Sequence, residues 1–200
     1  MNETRQPRGL HLCDFDGTLT RGDTLLPFLL FSVPIPKLLL GGILLIFRFL
    51  GLFVSGKWSN ATGKATVLEV YFKGKSAEYM LALGKEFYQQ KLPRLIRPDL
   101  LKKLRAYRQD GQTVVIVSAS LDIWLAPFCA AEGFGLLCTE LAYGSGKFNG
   151  EFATPNCNGI EKARRIQEAY ALDGYDRIFA YGNSSGDAAM FQLADEVIRF

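Results

Sequence analysis

The sequence has few of the residues on which several common functional sites depend. Its single histidine, His11, excludes metal sites built from histidine clusters, and a Ser-His-Asp triad would have to use that residue. The four cysteines form no Cys-x-x-Cys pair, so we expect reduced thiols and neither a disulfide framework nor a zinc site. No acidic residue occurs from Thr24 to Leu68. Residues 1–9 lack the apolar stretch of a secretory signal, and we predict a short disordered leader.

The rest of the composition is that of a globular protein with one unusual segment. Of the 200 residues, 48% are hydrophobic and 22% charged, which fits one α/β domain with an inserted lobe. Residues 25–54 contain 21 apolar residues, and residues 24–94 carry nine Lys or Arg against three Glu. This segment is therefore both apolar and basic. Because its basic residues coincide with apolar sequence, we do not expect nucleic-acid binding.

Outside this segment, short apolar runs alternate with helical patterns. We predict strands at residues 10–13, 113–117, 176–181 and 196–200, with helices at 99–108, 122–132, 159–170 and 187–193. This alternation predicts an α/β fold with a doubly wound parallel sheet. Residues 24–94 interrupt it with helical sequence, so we predict a core made of residues 10–23 and 95–200 and an inserted helical cap. The chain stops directly after its last predicted strand, which leaves open whether the C-terminus is complete.

Polar clusters follow three of the predicted strands: Asp14-x-Asp16-Gly17-Thr18, Ser118-Ala119-Ser120 and Gly182-Asn183-Ser184-x-x-Asp187. Because ligands bind beyond the carboxyl ends of the strands in open α/β sheets, we expect these clusters to converge. Clustered carboxylates repel one another unless a cation lies among them, and hard oxygen ligands select Mg²⁺. One carboxylate can then attack a phosphoryl group, while the second protonates the leaving oxygen and later activates water.

The ordered motifs, with Lys162 between the second and third clusters, resemble those of the haloacid dehalogenase superfamily of phosphohydrolases. Residues 10–23 and 95–200 match the core of that family, and residues 24–94 occupy the position of its helical cap, as in the phosphoserine phosphatase-like subclass. The resemblance implies a Rossmann-like core, a Mg²⁺ cofactor and a phosphorylated substrate. It also implies that Asp14 is the nucleophile and a metal ligand.

The same resemblance implies roles for the other motif residues. Asp16 would be the general acid/base, with its main-chain carbonyl on Mg²⁺. The phosphate oxygens would be held by Thr18 and Ser118, and the transition state would be neutralised by Lys162. The metal shell would be completed, directly or through water, by Asn183 and Asp187. Many relatives carry Asp where this chain has Asn183, and an amide brings no charge, so metal binding should be weaker.

Several of these residues also have a structural interpretation. Ser118 could cap the following helix, and Lys147, in a glycine-rich hairpin, competes with Lys162 for the catalytic role. Asp23 lies where helical-capped relatives often place a substrate-selecting residue, but it could equally cap the first cap helix. His11 lies within the first strand, and we interpret it as a packed core residue.

The apolar segment raises the question of a membrane. Its longest run, residues 38–54, reaches about 26 Å, short of the roughly 30 Å of a bilayer core. Asp14 precedes the segment and Lys162 follows it, yet both belong to one site, so a single crossing is excluded. We therefore predict that residues 25–54 lie in the interface as a hairpin broken at Pro34 and Pro36. The alternatives are packing within the cap or across a dimer. The basic residues expected to face anionic headgroups are Lys37, Arg48, Lys57 and Lys64.

These observations predict a Mg²⁺-dependent phosphomonoesterase that works through an aspartyl-phosphate. The apolar cap resembles that of the bacterial phosphatidylglycerophosphate phosphatases of the superfamily, which favours a phospholipid headgroup as substrate and a cytoplasmic location at the membrane surface. One alternative is a soluble phosphatase for a small metabolite such as phosphoserine. The other, motivated by Asn183 and the apolar cap, is a catalytically weak membrane-associated binding protein. The oligomeric state is left open.

Overall fold

The computed structural model describes residues 8–200. Residues 1–7 of the predicted leader lie outside the described residues. The last two residues of the predicted leader, Arg8 and Gly9, are ordered, contrary to the prediction. Arg8 donates its main-chain N–H to the Asp176 carboxylate, and Gly9 begins the first strand. The four cysteines are free and buried, as expected for reduced thiols.

The centre of the molecule is a parallel sheet of five strands in the order β3-β2-β1-β6-β7. Alternate residues of β1 and β2 face opposite layers, so the sheet is covered on both sides. The predicted α/β fold with a parallel sheet is confirmed. The strands are β1 (Gly9–Cys13), β2 (Thr113–Leu121), β3 (Gly135–Thr139), β6 (Arg177–Gly182) and β7 (Glu196–Arg199).

The strand prediction missed β3, which forms the edge of the sheet beside β2. Its only apolar run, Leu136-Leu137-Cys138 after a glycine, has three residues, shorter than the runs of four or more that mark a strand. A separate antiparallel hairpin follows, formed by β4 (Leu141–Gly144) and β5 (Lys147–Phe152). Its turn is the glycine-rich sequence around Lys147, as predicted.

Four helices belong to the core, and each lies within a residue or two of a predicted helix. Pro98 begins α6 in the first helical turn, where a missing N–H has no consequence, and Gly133 ends α7 in the left-handed conformation. A short 3-10 turn precedes the last helix. The core helices are α6 (Pro98–Gln109), α7 (Asp122–Glu132), α8 (Ile160–Ala169) and α9 (Ala188–Phe191).

Residues 24–94, called the cap segment below, are mostly helical, with five helices between Leu25 and Leu95. An isolated antiparallel bridge between Thr20 and Ile96 joins the chain just before this segment to the chain just after it. Ser59 caps α3 in a reciprocal arrangement with Thr62, and Ser76 caps α4. The helices are α1 (Leu25–Ser32), α2 (Ile35–Val54), α3 (Asn60–Phe72), α4 (Ala77–Gln90) and α5 (Leu92–Leu95).

Helix α2 is longer than the apolar run from which its length was estimated. It begins at Ile35 because Pro36 fits into the first helical turn, and it has 20 residues with a mean hydropathy of 2.1. At about 1.5 Å per residue it is about 30 Å long, so by length and composition it could cross a bilayer. The length argument against a span is therefore wrong. Gly41 is the one buried residue of α2, and its missing side chain makes room for the Tyr71 ring of α3.

Candidate active site

The predicted motifs meet at the carboxyl edge of the sheet. Asp14 directly follows β1, and its main-chain N–H donates to the carbonyl of Tyr181 at the end of β6 (2.9 Å). Ser118 lies in β2, the other neighbour of β1. Parallel pairing of these three strands therefore brings side chains more than 100 positions apart to one edge.

Lys162 joins the first and last motifs. Its Nζ lies 2.6 Å from Asp14 Oδ1 and 2.6 Å from Asp187 Oδ1, and the lysine side chain is only 2% exposed. Helix α8 brings Lys162 to this position because the loop before it is tied to the last motif, where the Gly159 N–H donates to the Gly186 carbonyl. A buried ammonium between two carboxylates stabilises each member, since any one of them alone would be an uncompensated charge.

The two carboxylates respond differently to burial. Burial raises the pKa of Asp14, and the nearby Lys162 ammonium opposes that rise. Burial also acts on Asp187, but Lys162 and the main-chain N–H groups around it outweigh this effect and hold its pKa below the usual range. In Lys162 itself the two carboxylates outweigh burial and raise the pKa. The group therefore favours ionised Asp187 and a charged lysine.

Both carboxylate oxygens of Asp187 already have partners. Oδ1 accepts from Lys162, while Oδ2 accepts from the N–H groups of Asn183 and Ser184 and from the Ser184 hydroxyl, at 3.0–3.1 Å. Asp187 thus holds the shape of its own loop and the position of Lys162. Its place in a metal shell stays a prediction.

Asp16 is held by hydrogen bonds from two segments. Its Oδ1 accepts from the main-chain N–H (3.1 Å) and hydroxyl (2.7 Å) of Thr24, and its Oδ2 accepts from the Ser120 hydroxyl (2.5 Å). Thr24 and Ser120 also contact each other through their hydroxyl groups. Burial raises the pKa of Asp16, against these hydrogen bonds. The carboxyl group therefore lies between the start of the cap segment and the end of β2.

The two residues predicted to hold phosphate are placed differently. The Thr18 hydroxyl donates to Asp14 Oδ2 (3.0 Å), so this side chain orients the carboxylate. Ser118 lines the cavity beside Asp14, and its Oγ accepts from the Ser120 N–H (3.0 Å). Because the hydroxyl proton of Ser118 is not used in that bond, it remains available to an anion in the cavity.

Gly17 is required where it stands. Its φ of +78° favours glycine, and a Cβ at this position would lie 2.1 Å from the Asn183 side-chain nitrogen. The absence of a side chain therefore lets the amide of Asn183 approach the Asp14–Asp16 loop directly. Both motifs depend on this close approach.

The donors at this edge fit a hard cation in kind. Residues 8–200 contain no cluster of three or more His, Cys, Asp and Glu side chains arranged to hold a metal ion. The set predicted from the sequence is mixed, with the Asp14 carboxylate, the Asp16 main-chain carbonyl and the Asn183 amide oxygen. Mg²⁺ accepts such a set and completes its octahedron with water. The approach of Asn183 to Gly17 puts these donors on adjoining loops.

The structure shows where three residues with competing interpretations lie. Lys147 is exposed on the hairpin, so Lys162 is the lysine that reaches Asp14. His11 is buried, stacks on Tyr107 and hydrogen-bonds the Tyr181 hydroxyl, as expected for a packed residue. Asp23 Oδ1 accepts the N–H groups that begin α1, as the capping alternative expects, and the residue also lines the cavity, so its role in substrate selection stays a prediction.

Above Asp14 lies a cavity of about 380 Å³ between the core and the cap segment. Core residues Asp14, Asp16, Ser118 and Lys162 form its floor, and one wall is made by α2, α3 and the loop between them. Residues that precede α2 in the chain and residues that follow it line the same cavity, so in this structure α2 does not separate them across a bilayer. The cap residues that line the cavity include Leu25, Phe49, Trp58, Lys64 and Val67.

Three of these contributions were not identified from the sequence. Ser120 belongs to a polar cluster that the sequence reveals, but its contact with Asp16 depends on strand pairing. Thr24 precedes an apolar helix and resembles an ordinary cap. Lys64 was expected among the basic residues facing lipid headgroups, and its ammonium lies in the cavity on the Ala119 carbonyl (2.9 Å), a place that the sequence did not reveal. Arg48, also expected to face lipid, pairs with Glu69 at the surface.

Comparisons with known proteins agree with this geometry. Residues 12–192 match the haloacid dehalogenase-like hydrolases. The chain is 32% identical over 187 residues to protein CicA of Caulobacter vibrioides, covering 92% of this chain and 82% of that protein.

Two solved structures share the fold. A Bordetella pertussis protein of unknown function superposes with a TM-score of 0.76 at 18% identity, covering 96% of this chain and 90% of that chain. A phosphoserine phosphatase described as a phospho-aspartyl intermediate analogue gives a TM-score of 0.65 at 18% identity, covering 98% and 87%.

Proposed function

The chain belongs to the haloacid dehalogenase-like hydrolases, and we propose that it is a Mg²⁺-dependent phosphomonoesterase that works through an aspartyl-phosphate. The observation that carries this proposal is the buried contact of Lys162 with Asp14, beside Asp16 and Ser118 in one cavity. A phosphoserine phosphatase with the same fold is described as a phospho-aspartyl intermediate analogue, which supports the proposal.

In the first half of the reaction Asp14 is the nucleophile. A carboxylate oxygen of Asp14 forms a bond to phosphorus as the ester P–O bond breaks, and Thr18 keeps that carboxylate oriented. Lys162 offsets the negative charge that accumulates on the phosphoryl oxygens, and the Ser118 hydroxyl donates to one of them.

Asp16 is the general acid in the first half of the reaction and the general base in the second. Its carboxyl group donates a proton to the leaving oxygen, which departs as an alcohol. It then accepts a proton from the water that attacks the aspartyl-phosphate, so that inorganic phosphate leaves and Asp14 is regenerated. Thr24 and Ser120 hold Asp16 for both transfers.

The oxygen donors of Asp14, Asp16 and Asn183, with Asp187 directly or through water, would hold Mg²⁺. When bound, the ion supplies positive charge that lets an anionic nucleophile approach an anionic phosphate. Because Asn183 contributes no charge, we expect weaker metal binding than in relatives with Asp at this position. Replacing Asn183 with Asp should lower the Mg²⁺ concentration needed for half-maximal activity.

For the substrate we propose a lipid phosphate such as phosphatidylglycerophosphate, reached from the cytoplasmic surface of the membrane. Ten large hydrophobic side chains of α2 are exposed, which is unusual for the surface of a water-soluble monomer. Phe49 of the same helix lines the cavity, so the apolar surface continues into the site. Because residues that precede α2 (Asp23, Leu25) and follow it (Trp58, Lys64) line one cavity, the helix would lie along the membrane surface.

The second candidate is a soluble phosphatase for a small metabolite. The polar residues Asp23 and Lys64 in the cavity favour it, because they could bind the charged groups of a compound such as phosphoserine. A comparison of turnover on phosphoserine with turnover on phosphatidylglycerophosphate in mixed micelles separates the two candidates.

Hydrolysis of a generic aryl phosphate tests the proposed chemistry. We expect turnover that depends on Mg²⁺ and is abolished by a chelator, and at least a thousandfold loss in Asp14→Asn, with a cooperative thermal unfolding transition as the folding control. Full activity of Asp14→Asn would contradict the nucleophile. Absence of turnover in the wild type on all of these substrates would favour the catalytically weak binding protein.

A further inference from the structure

One cation in the cavity is not used by the proposed chemistry. Among the residues that line the cavity, Lys64 and Lys162 carry positive charge. Lys162 lies between two carboxylates, whereas the Lys64 ammonium contacts the main-chain carbonyl of Ala119 (2.9 Å). Within residues 8–200 no carboxylate forms an ion pair with Lys64.

This ammonium has capacity for a ligand. An ammonium has three N–H donors, and the contact with Ala119 uses one. Lys64 is half-buried on α3, in a wall that also contains Phe49, Trp58 and Val67. A cation in such surroundings binds an anion more strongly than a fully solvated lysine does, because the competing water is reduced.

The position of Lys64 indicates which part of the substrate it meets. Ala119 lies between Ser118, which faces the phosphate, and Ser120, which holds Asp16. Asp16 protonates the leaving oxygen, so this stretch of β2 passes from the phosphate toward the leaving group. Lys64 reaches it from the cap segment, on the side from which the leaving group extends.

We propose that Lys64 is a specificity-determining residue that binds a second anionic group, carried by the leaving group of the substrate. This inference rests on the proposed phosphomonoesterase function and adds the chemistry of the substrate beyond the scissile phosphate. A phosphodiester in a lipid headgroup and the carboxylate of a small metabolite are the two sources of such a group.

The aromatic residues of the wall favour the phosphodiester. The Trp58 ring stacks on Phe53 with centroids 4.5 Å apart and meets Phe49 edge to face at 5.1 Å. Phe53 is 60% exposed and belongs to the apolar surface of α2. An apolar path therefore leads out of the cavity past Lys64, as an amphiphile with an anionic group near its phosphate ester requires.

The test compares three water-soluble phosphomonoesters, so membrane binding does not enter. Glycerol 3-phosphate has no second anion, its derivative with a methyl phosphodiester on the other primary carbon has one, and phosphoserine carries a carboxylate. We expect Lys64→Met to lower kcat/KM about 30-fold on the phosphodiester and less than threefold on glycerol 3-phosphate. Lys64→Arg should restore most of the loss. A selective loss on phosphoserine alone supports the second anion with the carboxylate as its source.

Lys57→Met is the matched control, because Lys57 is an exposed lysine of the same segment outside the cavity. It should leave all three substrates unchanged. An equal loss on all three in Lys64→Met overturns the inference, since Lys64 would then act on the scissile phosphate or on the strand. Unchanged kinetics in Lys64→Met overturn it as well. Absence of Mg²⁺-dependent turnover in the wild type is a different failure, that of the proposed function.

Discussion

At the carboxyl edge of the sheet this protein buries charged groups, whereas in the cap segment it exposes apolar ones. Asp14, Lys162 and Asp187 are almost completely buried, and the Lys162 ammonium donates a hydrogen bond to each carboxylate. Of the 18 large hydrophobic residues that are exposed within residues 8–200, 15 lie in the cap segment. Both patterns depart from ordinary burial, and such departures are where function is expected.

The two regions teach different things because the buried charges contact one another, whereas the exposed apolar side chains of α2 leave much of their surface uncovered by the described chain. Each buried charge has a partner of opposite sign within the chain, so the chemistry can be inferred from these contacts. The apolar face of α2 is exposed within residues 8–200, and we propose a membrane surface as its partner. The core therefore indicates the reaction and the cap segment the class of substrate.

The largest effect that would break this comparison is expected from Lys162→Met. Removing the ammonium leaves two buried carboxylates without compensation, and we expect the free energy of unfolding to fall by about 3–5 kcal/mol. Activity on an aryl phosphate should fall about a thousandfold, because charge stabilisation of the transition state is lost. Chemical denaturation and steady-state kinetics measure the two. Lys147→Met removes an exposed lysine and serves as the control. A loss of activity in Lys147→Met greater than that in Lys162→Met would contradict the assignment of Lys162 as the catalytic lysine.

Gly17→Ala tests the contact between the first and last motifs. The new methyl group meets the Asn183 amide, and the φ of +78° is strained for alanine. We expect a loss of about 1–2 kcal/mol in unfolding free energy and at least tenfold in activity. Gly22→Ala, where no atom lies within 4 Å of the added Cβ, should change neither. Equal behaviour of the two variants would show that the loops do not need this close approach.

Polar substitution of the α2 surface tests the other side of the comparison. The triple variant Leu40→Gln, Phe47→Gln, Leu50→Gln changes side chains that are 60–71% exposed. We therefore expect its melting temperature to equal that of the wild type within error, and its aryl phosphatase activity to stay within twofold. Binding to phosphatidylglycerol vesicles should fall at least about tenfold, since each buried apolar side chain contributes about 1.5–3 kcal/mol. Flotation measures it. The paired variant Tyr79→Gln, Leu81→Gln on α4 should float like the wild type; a drop there equal to that of the triple variant would argue against α2 as the contact.

The smallest effect concerns how α2 is held. A Cβ at Gly41 would lie 2.3 Å from the Tyr71 ring, whose hydroxyl donates to the Leu38 carbonyl (2.9 Å), so Gly41→Ala should cost about 1 kcal/mol. Gly42 has open space, and Gly42→Ala should raise stability by about 1 kcal/mol through helix propensity. Thermal denaturation of the pair checks the opposite signs. A gain in both variants would mean that α2 does not pack on α3.

Much of the core could be predicted from local sequence. Apolar runs bounded by turn residues predicted four of the five parallel strands, and β3 was missed because its apolar run is only three residues long. Asp14, Asp16 and Ser118 were predicted to converge because the carboxyl ends of parallel strands share one edge, and the family resemblance added Lys162. The roles of these residues in catalysis stay predictions until the kinetic tests are made.

The sequence by itself determined the sheet, the convergence of the motifs and the apolar, basic character of the cap segment. These follow from local periodicity and from residue types at short spacing. Only the tertiary structure decided that Lys64 faces the cavity, that Thr24 and Ser120 hold Asp16, and that both oxygens of Asp187 are engaged. Such contacts join residues that are distant in the chain or depend on how a helix is rotated about its axis. The direction in which α2 presents its apolar face was decided in the same way, by the packing of Gly41 on Tyr71.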